Sequence, residues 1–523
     1  MNNEQMLTEK AKIFINSGNL REAEDILLGL QDKYSIFELA KIRKIQGRNI
    51  EAEQLYLRAL AMPSTMKGHI DSDINIELGR IYASFGRVEE ARKRYEKGID
   101  RVSLDKNLYR ELGELYLNAK NYEEAEIYLQ KALTFFPDDI VTNLSLAIVY
   151  KLLEKEDLAK KIFLKLLSIK ELKGNKFMYN RVLNEYEILM RKEYLESKPR
   201  EIRATITNKC NIGCRYCSIW KCSEWQQSTE RMREVVDNFP YMDNVYWLGG
   251  ETFLYKGFED ILEEGSKFST LKQTIFTNGL LLNERILEKL AKGNIKLYIA
   301  IDAGKKETYE YLRRGASWDK LCSNLALIKE IRNKTGKNIE TVYNMVVSKT
   351  NYKELFDVVE LAKIYEFSRI RLMPILGSWK EENIFSSRDV EALSYIREVT
   401  PLIEKRCEEY GITLENNLPT KEGKNYKDLN LKFVKDGKYD IVKTTGNVMR
   451  CVIPWKLVVL DSKGPMRACA NSNDWLGDSR KQTISEFWNS ENMQMFRKHF
   501  GNMYACSGDN LNAGPNDVAF TPT

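Results

Sequence analysis

Thr207-Asn208-Lys209-Cys210-Asn211-Ile212-Gly213-Cys214-Arg215-Tyr216-Cys217 places three thiols on one short stretch, three residues and then two residues apart. It directly follows an apolar, β-branched run ending at Thr207, IRATIT, which reads as a strand. Three thiolates so close on one loop can hold three irons of a cubane iron–sulfur cluster. The fourth iron is then left without a protein ligand, as a cluster needs if it must bind and reduce a small molecule. A structural zinc site instead wants four ligands, usually as two pairs. No fourth Cys or His stands at pair spacing: Cys222 lies five residues past Cys217, and the only histidines are His69 and His499.

Outward from this loop, from about Glu201 to Leu376, short apolar runs alternate with helical patterns. The runs are IRATIT, NVYWLGG, QTIFTNG, KLYIAID, ETVYNMVV and RIRLMPI. The helices between them include 256–267, 283–292, 318–332 and 353–366. This alternation predicts a parallel sheet whose functional residues lie at the carboxyl ends of the strands. The second strand closes in Trp247-Leu248-Gly249-Gly250-Glu251. Two glycines let the backbone approach a ligand, and the carboxylate can hold an ammonium group. The third closes in Thr277-Asn278-Gly279, and the fourth in Ile301-Asp302-Ala303-Gly304, with Arg313, Arg314 and Gly315 beyond it. Asp302 could equally cap the next helix, and Arg314 could be a surface ion pair.

The cysteine spacing, with the aromatic Tyr216 before the last cysteine and Gly249-Gly250-Glu251 one strand and one helix later, resembles the radical S-adenosylmethionine (radical SAM) superfamily. The resemblance covers all six strands. It implies a partial (β/α)6 barrel and a [4Fe–4S] cluster on Cys210, Cys214 and Cys217, used with S-adenosylmethionine. It further implies Gly249, Gly250 and Glu251 at the methionine amino group, Tyr216 near the adenine, and Asn278 among the cofactor contacts. Asp302 would face the ribose side and Arg314 the nucleoside side. The implied chemistry is reductive cleavage of S-adenosylmethionine to a 5'-deoxyadenosyl radical that abstracts a hydrogen atom. The cofactors do the hard chemistry, and the protein orients and shields.

A second cysteine set follows. Cys451-Val452-Ile453-Pro454-Trp455 leads through VVLDSKG to Gly464 and Cys469, and Cys506-Ser507-Gly508-Asp509 lies further on. Cys451, Gly464 and Cys469, with the segment Ile484–Ser490, resemble the SPASM and twitch extensions of radical SAM enzymes. There an apolar hairpin carries cysteines toward an auxiliary iron–sulfur cluster. The dense further cysteine group of a full SPASM set is absent, so one auxiliary cluster is expected. Asp509 stands where a Cys-x-x-Cys pair would end; it is either a fourth ligand, or that iron is open to substrate. The alternative is that Cys451, Cys469 and Cys506 are structural thiols. Cys222, Cys322 and Cys407 read as small hydrophobes, though a thiol can also donate a hydrogen atom to a product radical.

The first third repeats itself. Leu78-Gly79 and Tyr82 recur as Leu112-Gly113 and Tyr116, and Ala91 recurs as Ala125 and Ala159. Two looser units precede these, and an insertion around Ser64–Asp73 breaks the register. The period resembles tetratricopeptide (TPR) repeats, pairs of helices stacked into a solenoid with a concave face.

The expected organisation is multidomain. TPR-like repeats occupy 1–170, a helical linker 171–199, the partial barrel 200–385, a helical bridge 386–447 and a small α+β SPASM/twitch-like domain 448–523. The chain of 523 residues is long enough for several domains. Its net charge of +6 comes from interspersed lysines and glutamates, which argues against nucleic acid. No stretch approaches the roughly 18 apolar residues of a membrane helix. The N-terminal MNNEQMLTEK has no apolar signal region, so a cytoplasmic site is expected. The expected substrate is a peptide or protein held in the TPR groove, with an electron donor such as flavodoxin or ferredoxin. The rival readings are radical modification of a carbohydrate or other small molecule, with the repeats used for assembly, and a non-catalytic iron–sulfur scaffold.

Overall fold

The computed structural model describes residues 3–501, apart from 18, 64–69, 86, 100–106, 218–222, 337–338, 376–378, 380, 420–432, 435–437, 440–451 and 470–474. Helices fill the first third: α1 (Asn3–Asn16), α2 (Leu20–Leu28), α3 (Lys33–Ile45), α4 (Asn49–Ala61), α5 (Ile70–Ser84), α6 (Val88–Gly98), α7 (Leu108–Asn118), α8 (Tyr122–Phe135), α9 (Ile140–Leu152), α10 (Glu156–Ser168) and α11 (Lys176–Leu189). Helices α3/α4, α5/α6 and α7/α8 pack as pairs. The repeated small residues make this possible. A Cβ on Gly79 would stand 2.7 Å from the Tyr95 ring, and one on Gly113 2.5 Å from Leu129. Both contacts shift by 34 residues from one pair to the next, so the sequence period is also a packing period. Ala91, Ala125 and Ala159 are fully buried, as helix contacts of this closeness require.

Strands and helices then alternate: β1 (Glu201–Thr207), α12 (Thr229–Asp237), β2 (Asn244–Gly249), α13 (Phe258–Ser266), β3 (Lys272–Thr277), α14 (Glu284–Leu290), β4 (Asn294–Ala300), α15 (Lys306–Leu312), α16 (Trp318–Thr335), β5 (Glu340–Val347), α17 (Leu355–Ile364), β6 (Arg369–Pro374), α18 (Val390–Tyr410) and β7 (Thr413–Asn416). Each apolar run read from the sequence became a strand. A short hairpin, β8 (Phe433–Val434) and β9 (Lys438–Tyr439), precedes β10 (Leu457–Leu460), β11 (Pro465–Arg467), β12 (Gly477–Asp478), α19 (Ile484–Trp488) and α20 (Glu491–Gly501).

The chain divides into two compact units. The first comprises Met1–Leu153 and Thr277–Asn417. In it β4, β5, β6 and β7 form a parallel ladder, with Ala300, Asn344, Arg371 and Glu415 in one transverse row. Strand β7 lies inside the segment expected to be a helical bridge, so that expectation needs correction: α18 ends at the left-handed Gly411, and the chain re-enters the sheet. The solenoid helices pack on this α/β layer. A Cβ on Gly336 would stand 2.2 Å from Leu20, and one on Gly411 2.5 Å from Ile50.

The second unit comprises Glu154–Phe276 and Leu418–Thr523. Here β1 pairs in parallel with β2 on one side and with β10 on the other, and β10, β11 and β12 continue antiparallel. One face of β1 and β2 carries Ile202, Ala204, Ile206, Val245 and Trp247, all buried. Trp247 meets Phe239 and Phe258 edge-on, so this face is the covered one. Helix α11 is no mere linker. Its Arg181 binds Asp243 at 2.8 Å, its Glu185 binds Arg200 at 2.6 Å, and its Asn184 donates to the Trp455 carbonyl at 2.7 Å. Arg181 and Glu185 are buried and paired, as buried charges must be.

Candidate functional site

The cysteine loop hangs from the carboxyl end of β1. Asn208 closes its base. The Asn208 Oδ1 accepts from the Trp225 N–H and its Nδ2 donates to the Ser223 carbonyl, both at 2.6 Å. The Asn208 N–H donates to the Trp225 carbonyl at 3.1 Å. Thr207 Oγ1 donates to the same carbonyl and accepts from the Lys209 N–H, each at 3.1 Å. These bonds fix both ends of the loop while leaving its backbone to satisfy itself. Within it, the Cys217 N–H donates to the Cys214 carbonyl at 3.2 Å. Cys214 is buried, Cys210 and Cys217 are half-buried, and Tyr216 between the last two is half-buried.

Gly249 and Gly250 pack on the root of that loop. The Gly250 N–H donates to the Thr207 carbonyl at 2.8 Å, and the Glu251 N–H to the Lys209 carbonyl at 2.7 Å. A Cβ on Gly250 would stand 2.2 Å from the Lys209 oxygen; one on Gly249, at φ +149°, would stand 2.2 Å from the Thr207 oxygen. These glycines also approach protein backbone closely, and so seat the cysteine loop against β2. Glu251 is fully buried and accepts from the Phe253 N–H at 3.4 Å, capping the turn Thr252–Leu254.

The first unit holds the other expected residues. Asn278 is 5% exposed, and its Oδ1 accepts from the Leu280 N–H at 3.0 Å, an Asx turn that ends β3. Asp302 has φ +62° and no exposed surface. Its carboxylate accepts from the Val346 N–H at 2.7 Å and pairs with the Arg313 guanidinium, while the Asn351 amide binds its carbonyl at 2.7 Å. Burial pushes this carboxyl above its usual range, against the opposing pull of Arg313. Asp302 caps no helix, because α15 begins after Lys305, and its carboxylate pairs with Arg313. Arg314 is exposed. Both arginines follow α15, and packing separates them: Arg313 is buried against Asp302 and Arg314 is not.

In the second unit Gly464, at φ +114°, turns the apolar hairpin β10–β11, and Cys469 follows β11 at 8% exposure. Cys451, Cys506 and Asp509 lie outside the described residues. Among the described residues no three His, Cys, Asp or Glu side chains converge closely enough to hold a metal ion. The donor chemistry of Cys210, Cys214 and Cys217, three thiols on a loop clamped at its base, nevertheless suits three irons of one cluster.

Residues 204–362 match the radical SAM superfamily model. The chain carries a radical SAM domain. Residues 76–140 match the tetratricopeptide repeat model, and 451–508 match the SPASM iron–sulfur cluster-binding domain. A radical SAM domain implies a [4Fe–4S] cluster used with S-adenosylmethionine, and a SPASM domain implies an auxiliary iron–sulfur site. A GTP 3',8-cyclase of Peptoclostridium acidaminophilum is 31% identical over 202 residues, covering 36% of this chain and 61% of that protein. Molybdenum cofactor biosynthesis protein 1 of Dictyostelium discoideum is 26% identical over 238 residues, covering 43% of this chain and 36% of the relative. The chain thus spans between about a third and three fifths of these relatives' length. Among solved structures, Streptococcus suis SuiB bound to S-adenosylmethionine is 18% identical, with a TM-score of 0.44, over 68% of this chain and 82% of that one.

Proposed function

We propose that this protein reductively cleaves S-adenosylmethionine to a 5'-deoxyadenosyl radical and uses it to abstract a hydrogen atom from a peptide or protein held by the TPR repeats. The observation that carries the reading is the seating of the three-cysteine loop, bound at its root by Asn208 and by the Gly249-Gly250 backbone. In this reading Cys210, Cys214 and Cys217 hold the first cluster. Tyr216, Gly249, Gly250, Glu251, Asn278, Asp302 and Arg314 lie with its cofactor. Cys451, Cys469 and Cys506, with Asp509 as fourth ligand, serve the auxiliary cluster. When bound, the cluster and S-adenosylmethionine supply the radical chemistry. The chain's own residues orient and shield: Asn208 and Thr207 keep the loop's ends together, and the buried Asp302–Arg313 pair stiffens the turn after β4. Substrate docking is supported by a cavity of about 440 Å³ in the solenoid, lined by Lys12, Tyr34, Phe37, Lys41, Glu77 and Arg80. The chain divides as 1–170, 171–199, 200–385, 386–447 and 448–523, works in the cytoplasm and draws electrons from a flavodoxin or ferredoxin. Among the described residues no helix is long and apolar enough to cross a membrane.

A small-molecule substrate is the second reading, favoured by the activity of the GTP 3',8-cyclases that match the domain. The test is anaerobic reconstitution, reduction with dithionite and chromatography of the products. Wild type should yield 5'-deoxyadenosine and methionine, and the Cys210→Ala, Cys214→Ala, Cys217→Ala triple variant neither. Equal cleavage by the triple variant overturns the assignment.

A further inference from the structure

The face of β1, β2 and β3 opposite the helix-covered one carries Arg203, Thr205, Tyr246, Leu248, Thr274 and Phe276, none placed there by the hydrophobic alternation that builds the core. Arg203 and Tyr246 are register partners on neighbouring strands. The guanidinium lies over the Tyr246 ring, 4.7 Å from its centroid. Among the described residues that ring is the only group the guanidinium engages. Among the described residues no carboxylate lies within ion-pair distance of Arg203, and its Nε is buried without a hydrogen-bond partner. The contrast with the same strand region is sharp: Arg200 is paired to both Glu185 and Asp243.

A guanidinium presents five N–H donors in a fixed fork and no acceptor. Half-buried, it loses part of its hydration, and a buried N–H without an acceptor is costly. Stacking on an aromatic face holds the plane of the fork without using any donor. What such a fork fits is a planar or tetrahedral anion that accepts two parallel hydrogen bonds. We propose that Arg203, held by Tyr246, is a substrate-anchoring site for a carboxylate or phosphate group. The assignment rests on the proposed radical SAM reading, which makes this face of the strands, opposite the helix-covered one, the reactive one. An anchored anion on a strand would hold the rest of the substrate at fixed height above the sheet, which is what positioning a hydrogen for abstraction requires.

The experiment is thermal unfolding of the anaerobically reconstituted full chain, titrated with sodium succinate or with inorganic phosphate against sodium chloride at equal ionic strength. It reads anion binding without any turnover, so it can fail while S-adenosylmethionine cleavage survives, and the reverse. Wild type should show a saturable rise in melting temperature, since a ligand of the folded state stabilises it by mass action. Whichever anion acts at lower concentration names the group. In Arg203→Gln the half-saturating concentration should rise about tenfold or more, the worth of one charge-assisted pair. Arg203→Lys, which keeps the charge but not the fork, should fall between them, and serves if Arg203→Gln does not fold. No saturable shift in wild type, or the same shift in both variants, overturns the site.

Discussion

Gly250→Ala isolates the seating of the cysteine loop. Gly250 has an ordinary φ, so the substitution adds no backbone strain of its own; its whole effect is the added methyl. That methyl would stand 2.2 Å from the Lys209 oxygen and 2.8 Å from the Asn208 oxygen. Ordinary contact begins near 3.4 Å, so the two backbones must separate by roughly 1.2 Å. Neither obstacle is the flexible end of a side chain. A separation of that size takes the hydrogen bonds Gly250 N–H to Thr207 (2.8 Å) and Glu251 N–H to Lys209 (2.7 Å) out of bonding range. At about 0.5–1.5 kcal/mol each, their loss costs about 1–3 kcal/mol before any repacking strain. The displaced segment is the one that carries Cys210, so cluster loading should fall with stability. The assay is urea unfolding together with iron and sulfide content after anaerobic reconstitution. Gly174→Ala, whose Cβ would meet nothing within 4 Å, is the control. If Gly250→Ala unfolds at the wild-type urea concentration and loads the same iron as the control, the glycine does not seat the loop and the argument fails.

The buried pair in the first unit should behave asymmetrically. Arg313→Ala strands the Asp302 carboxylate without surface exposure and should cost about 3–5 kcal/mol in denaturant unfolding. Asp302→Asn keeps an acceptor for the Val346 N–H and a residue type that tolerates φ +62°, so it should cost clearly less; a larger loss than Arg313→Ala would refute the pairing. Glu114 on α7 has its carboxyl pushed up to about 7 by burial, with Arg110 opposing. A raised carboxyl favours the protonated native state, so its stabilising contribution is full below pH 4.5 and is lost as pH rises through 7. Glu114→Gln should therefore match wild type near pH 4.5 and exceed it at pH 8 by up to about 3 kcal/mol, and an equal difference at both pH values would exclude this ionisation as the cause.

Much of this protein is local. The strands β1 to β6 follow from apolar runs a few residues long, and the repeats from a 34-residue recurrence of Gly79 and Gly113 against Tyr95 and Leu129. The cysteine loop is legible because its three thiols are neighbours in the chain. Whatever depended on residues far apart in sequence needed the fold. Strand β7 escaped notice because four residues after a long helix carry too little pattern to outweigh it. Nothing local marks Asn208; its role appears only when the fold brings Ser223 and Trp225 to its amide. Arg313 and Arg314 are identical to local reasoning; one points into the core toward Asp302 and the other out to solvent. Arg203 sits in a strand pattern that accounts for its alternation but not for the missing carboxylate beside it. Spacing along the chain sets which groups can act together on one loop, whereas burial and pairing, which settle whether a charge is structural or available, are properties of the packed chain.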